Sequence, residues 1–119
     1  MRTEALYLDD ILDAAEAIAR FLRNLEKETF LIDELYQSAV LQKLAVIGEA
    51  AARLSEEFRN RHADIKWRGV ISLRNIAVHE YFGVNWEDVW DTATQDVPVL
   101  RAQIAAVLAA EFPDDESPA

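Results

Sequence analysis

An arginine, an amide, an imidazole and a phenol fall within eight residues, Arg74-Asn75-Ile76-Ala77-Val78-His79-Glu80-Tyr81, in an otherwise apolar setting. A histidine titrates near neutrality and can act as base or acid. An arginine stays charged and offers phosphate oxygens a fork of donors. Arg74 and His79 therefore have the capacities needed to cleave an RNA phosphodiester without a metal: one takes the 2′-hydroxyl proton and the other stabilises charge gathering on phosphorus. Asn75 could orient the imidazole or bond a phosphate oxygen. On a helix, positions four apart share a face, so Asn75 and His79 are expected one turn apart. Arg74 lies roughly 100° round the helix from Asn75, and its long side chain can still swing toward the imidazole or an anion in front of it. Gly83 is expected to end this helix, leaving His79 and Tyr81 near an accessible end.

Alone, one Arg and one His a few residues apart are weak evidence, because a helix histidine is more often a hydrogen-bonded structural residue. One helix also supplies few groups, and a symmetric dimer facing two such helices would double them. His62, in a polar connection without comparable neighbours, is assigned no role. Tyr81, Phe82, Trp86 and Trp90 could stack on bases, but aromatics at helical spacing favour core for Trp86 and Trp90. Two distant histidines, no cysteine and carboxylates spread over outward faces make no recognisable metal-ligand set. No glycine-rich phosphate loop is present, so neither metal nor cofactor is expected.

The elements that must position the motif read as helices. Leu8, Ile11, Ala15, Ile18, Leu22 and Leu25 form the seam of a first helix from Thr3 to about Lys27. A break at Glu28-Thr29 precedes a second pattern from about Leu31 to Arg59. Within it Ala45, Gly48, Ala51 and Ala52 make a small-residue patch where another helix can come close, inside the fold or between two copies. A mid-helix glycine costs about 1 kcal/mol against alanine, so close packing is the expected compensation. Residues 60–64 form a second connection, and Asp64 can cap a third helix running from near Ile65 through the motif. Asn85 followed by Asp88 resembles a cap for a fourth helix, which Pro98 should kink or restart. The fold class is all-α, an up-and-down bundle of four helices, or five if Pro98 divides the last.

At 119 residues the chain suits one domain, expected over residues 1–112, with an acidic, disordered tail at 113–119. The absence of cysteine and of a long uncharged apolar run points to a cytoplasmic protein outside the membrane. A net charge of −10 argues against a broad nucleic-acid-binding surface. The charge is unevenly placed, however. Between Arg53 and His79 lie six of the twelve Lys and Arg residues, against three acids, whereas from Glu80 onward nine acids face only Arg101.

The stretch from Arg74 to Tyr81 matches the R-x4-H-x-Y signature, and the chain resembles the HepT-like proteins, small ribonuclease toxins of the HEPN superfamily. Ile47-Gly48-Glu49-Ala50 with Leu54-Ser55, Ile65-Lys66-Trp67, and Val84 to Trp90 with Asp96-Val97-Pro98 extend the likeness over most of the chain. Ala63, Lys66 and Ser72 depart from that pattern, where two prolines and a glycine are expected. The resemblance implies a HEPN helical bundle and a homodimer, which could assemble further, with its motifs facing across a cleft. It implies metal-independent RNA cleavage by Arg74 and His79 with Asn75 beside them. It also implies pairing with a minimal nucleotidyltransferase antitoxin in a type VII-like system, which silences the toxin by AMPylation of Tyr81. Two alternatives stand beside it: a noncatalytic binding partner of a nucleotidyltransferase, and a structural dimer whose Arg74 and His79 only make ion pairs.

Overall fold

The computed structural model describes residues 3–76 and 83–113. Helix α1 (Glu4–Leu22) begins at the N-cap Thr3, whose side chain accepts from the Leu6 amide. It ends five residues earlier than the seam suggests, because the backbone turns at Asn24, which has φ 61°. Asparagine tolerates the left-handed region better than most residues, so the turn is placed where it costs least. Leu25 still packs against the core from beyond the turn.

The break expected at Glu28-Thr29 instead lies within a short helix, α2 (Lys27–Ile32). The true punctuation is Asp33, whose carboxylate accepts from the Leu35 amide at 3.0 Å and caps α3 (Glu34–Arg53). The α2–α3 elbow is locked by buried Gln37, whose Nε2 donates to the Phe30 carbonyl at 3.0 Å. Phe30 itself is fully buried and meets the rings of Trp86 at 6.2 Å and Trp90 at 5.4 Å. Both tryptophans are thus packed on the core.

The second pattern is likewise not one helix to Arg59. It stops at Leu54, and Ser55 starts α4 (Glu56–Arg61) by accepting from the Phe58 amide at 3.0 Å. The two acids of its first turn complement the orphan amides there. Asp64 does not cap the next helix. A tight turn, Ile65 N–H to the His62 carbonyl and Trp67 N–H to the Ile65 carbonyl, leads into α5 (Trp67–Ser72) from Lys66 instead. The Trp67 indole secures that entry by donating to the His62 carbonyl at 3.0 Å.

Beyond the motif, Asn85 accepts from the Asp88 amide at 3.1 Å and starts α6 (Trp86–Asp91) as expected. Pro98 acts through the turn before it. Residues Thr92–Asp96 widen into a π turn before α7 (Val97–Glu111), whose first turn holds the proline. The Thr94 hydroxyl donates to the Trp90 carbonyl at 2.7 Å within that widened segment, where the regular ladder is interrupted. The chain therefore passes from α6 to α7 without a loop.

These elements form an all-α bundle. Helix α1 packs along α3 and α7, and α5 lies against α3. Its core joins Leu8, Ile11 and Ile18 of α1 to Leu44 and Ile47 of α3 and Ile104 of α7, all fully buried. Among the described residues no helix is long and apolar enough to cross a membrane. The tail expected to be disordered falls, from residue 114, outside the described residues.

His62 is not the isolated side chain its sequence context suggests. Its ring stacks at 4.7 Å on Phe58, and its Nε2 meets the Glu111 carboxylate at the end of α7. Arg61 donates to the same carboxylate at 2.9 Å. These hydrogen bonds, Arg61 first and then His62, hold the Glu111 carboxyl below its ordinary range. A carboxyl whose folded value lies below its unfolded one stabilises the fold above the unfolded value, and that contribution disappears as pH falls through the folded value. Glu111→Gln should therefore lower the melting temperature slightly at pH 7, by an amount that shrinks as pH falls through and below the ordinary carboxylate range. Thermal melts of both proteins across that range check this.

Candidate active site

Helix α5 does not continue as a regular α-helix into the motif. It tightens into a 3-10 turn at Leu73–Asn75 before Ile76. The reason lies across the bundle in α3. A Cβ built on Gly48 would sit 2.4 Å from the Arg74 amide nitrogen, 3.0 Å from the Arg74 Cβ and 3.0 Å from the Ile71 carbonyl. The small-residue patch thus works inside the fold at this position. Gly48 lets the backbone carrying Arg74 lie directly on α3, with buried Ala51 one turn on.

That contact aims Arg74 outward. Its side chain is 42% exposed, and its guanidinium Nη1 lies 3.6 Å from Oε2 of Glu49. Glu49 also accepts from Arg53 Nε at 3.1 Å, so one carboxylate lies between two guanidiniums. Glu49 and Arg53 in turn line a hollow of about 350 Å³ with Tyr7 and Asp10 of α1. An exposed pair of this kind contributes little to stability. Its effect is to limit where the Arg74 fork points while leaving donors free for an anion.

Asn75 is exposed in the same 3-10 turn. His79 and Tyr81 lie outside the described residues, as does the expected one-turn relation of Asn75 to His79. Of the motif, the structure therefore places Arg74 and Asn75 side by side on one surface turn. Among the described residues no group of three His, Cys, Asp or Glu side chains could hold a metal ion.

Glu49 is the residue near the site to which sequence reasoning gave no role. Its signal was present: it follows the glycine of the small patch and stands four residues before Arg53. What the sequence did not show is that Arg74 folds back onto that same carboxylate.

Gly48→Ala should disturb this arrangement. Alanine gains about 1 kcal/mol in helix propensity, but the atom it meets is backbone, and overpacking of this kind costs about 1–3 kcal/mol. The turn bearing Arg74 must move, and misplacement on the order of 1 Å costs up to about 100-fold in rate. The expected result is a near-neutral or modestly lowered melting temperature with a much larger loss of RNA cleavage, read by thermal melts and a gel assay on one preparation.

The site thus lies on an all-α bundle that seats an arginine-bearing turn on a glycine of a neighbouring helix. Residues 11–107 match the family described as "Ribonuclease HepT-like". The chain belongs to that HepT-like family. It is 37% identical over 102 residues to the "Probable ribonuclease HepT" of Thermococcus cleftensis, covering 86% of this chain and 93% of that one. Similarity to the "Putative RNase TTE0752" of Caldanaerobacter subterraneus subsp. tengcongensis is 33% identity over 111 residues, 93% of this chain and 99% of the relative. A Methanocaldococcus jannaschii protein named "Putative RNase MJ0127" is 35% identical over 111 residues, 93% and 92% of the two chains. No solved structure matches the chain.

Proposed function

We propose that this chain is a metal-independent endoribonuclease, the toxin of a type VII-like pair with a minimal nucleotidyltransferase antitoxin. The observation that carries this reading is the R-x4-H-x-Y signature, intact inside the region matched to a ribonuclease family, with its arginine held at the surface by Gly48 and Glu49. In the reaction, His79 takes the proton of an RNA 2′-hydroxyl and that oxygen attacks the adjacent phosphorus. The bond to the leaving 5′-oxygen breaks, and that oxygen is protonated in turn. Arg74 stabilises the charge on the phosphoryl oxygens, and Asn75 positions either the imidazole or the phosphate. Residues 1–112 form the functional domain, and two copies pair so that both motifs face one RNA. AMPylation of Tyr81, two residues from His79, places a bulky anion at the site and silences it. The protein acts in the cytoplasm.

Purified chain and an Arg74→Gln/His79→Ala double variant are incubated with total cellular RNA and EDTA, after intact mass spectrometry shows no nucleotide on Tyr81. Cleavage by the parent alone is expected. No cleavage by folded, unmodified parent would overturn the nuclease reading in favour of a noncatalytic partner of the nucleotidyltransferase.

A further inference from the structure

In a chain of net charge −10, three of the six Lys and Arg residues between Arg53 and His79 have carboxylate partners among the described residues. Arg53 and Arg74 share Glu49, and Arg61 bonds Glu111 while lying 5.2 Å above the Phe58 ring. Arg59 of α4, Lys66 and Arg68 of α5 make no ion pair with a described residue, and Lys66 faces a different hollow. Arg59 and Arg68 line one open concavity of about 470 Å³ between the two helices, with Asn60 beside them and Glu56 as its one acid among the described residues. Its floor is apolar, formed in part by Trp67 and Ile71. Two guanidiniums on one concavity without a carboxylate partner among the described residues repel each other, and a bound anion removes that cost.

The concavity is joined to the proposed active site through α5. Ile71 lines it, and the carbonyl of Ile71 belongs to the same contact with Gly48 that seats Arg74. Arg68 and Arg74 are six residues apart along α5 and its 3-10 extension, about 10 Å along the axis. That axial separation lies within the span of one nucleic-acid strand, which would have to pass about a quarter to a third of a turn round the helix to touch both.

We infer that Arg59 and Arg68 form a substrate subsite, holding the phosphodiester backbone of RNA beside the phosphate that Arg74 engages. This inference rests on the ribonuclease reading. The subsite supplies charge where the rest of the surface repels RNA, and it reads no base. It acts as a positioning site: KM carries its effect more than kcat does, and the salt dependence of binding reports its contacts.

The test compares parent, Arg59→Gln/Arg68→Gln, and the charge-matched control Arg20→Gln/Arg23→Gln at the C-terminal end of α1, using a single-stranded RNA oligonucleotide at several salt concentrations. Removing two phosphate contacts should reduce the slope of log affinity against log salt by about 1.4. KM should rise on the order of tenfold near physiological salt, with kcat changing far less and the control matching the parent. An unchanged KM and slope, or an equal change in the control, would overturn the subsite while leaving the nuclease intact. Parent protein that neither binds nor cuts RNA would overturn both readings. If the double variant does not fold, Glu56→Gln decides: removing that carboxylate should lower KM by about twofold or more, and an unchanged KM counts against the subsite.

Discussion

Arg74→Gln is expected to lower RNA cleavage by about 10²–10³-fold, the usual loss when one preorganised donor to developing charge is removed. The fold should survive. The Arg74 side chain is 42% exposed and its pair with Glu49 spans 3.6 Å, an interaction whose removal costs about 0–1 kcal/mol at most. Glutamine keeps hydrogen-bonding capacity but neither the charge nor the fork. Arg74→Lys should recover only part of the rate, because an ammonium restores charge without the two-pronged geometry. Single-turnover cleavage, with thermal melts alongside, separates this from a structural role for Arg74. A structural ion pair predicts lowered stability with no selective loss of rate.

His79→Ala is expected to cost about 10²–10⁴-fold, the range for removing a positioned general acid or base. Its effect should not add to that of Arg74→Gln. Groups that stabilise one transition state act as a unit, so the double variant should lie close to the worse single variant. Single-turnover rates for the four proteins measure this directly. Full additivity would mean that the two residues serve different steps.

The bundle was legible because long apolar seams leave few choices. Leu8, Ile11 and Ile18 recur at helical spacing and are fully buried. Boundaries were less legible, since they depend on single capping residues competing with continuing periodicity. Asp33 and Ser55 each stop a helix that hydrophobic spacing alone would carry on. Asn24 ends α1 although Leu25 continues the seam, because Leu25 can pack from outside the helix. Gly48 announced a close approach, yet its partner was not readable: contact with the Arg74 amide joins residues 26 apart in sequence. Of the candidate site, residue types and spacing offered Arg74, Asn75 and His79, and the family resemblance added Tyr81 as a modification site. The contact of Glu49 with Arg74 and the Arg59–Arg68 concavity came only with the fold, because each joins residues of separate helices. Sequence order does not give that.

The central claim is metal-independent cleavage that uses the RNA 2′-hydroxyl. The most direct measurement offers the unmodified protein, in EDTA, an RNA oligonucleotide and the same oligonucleotide with a single 2′-deoxy substitution at the mapped cleavage position. The first should be cut, ending in a 2′,3′-cyclic phosphate, and the second should stay intact at that position. Equal cutting of both, or cutting that EDTA abolishes and magnesium restores, would contradict it.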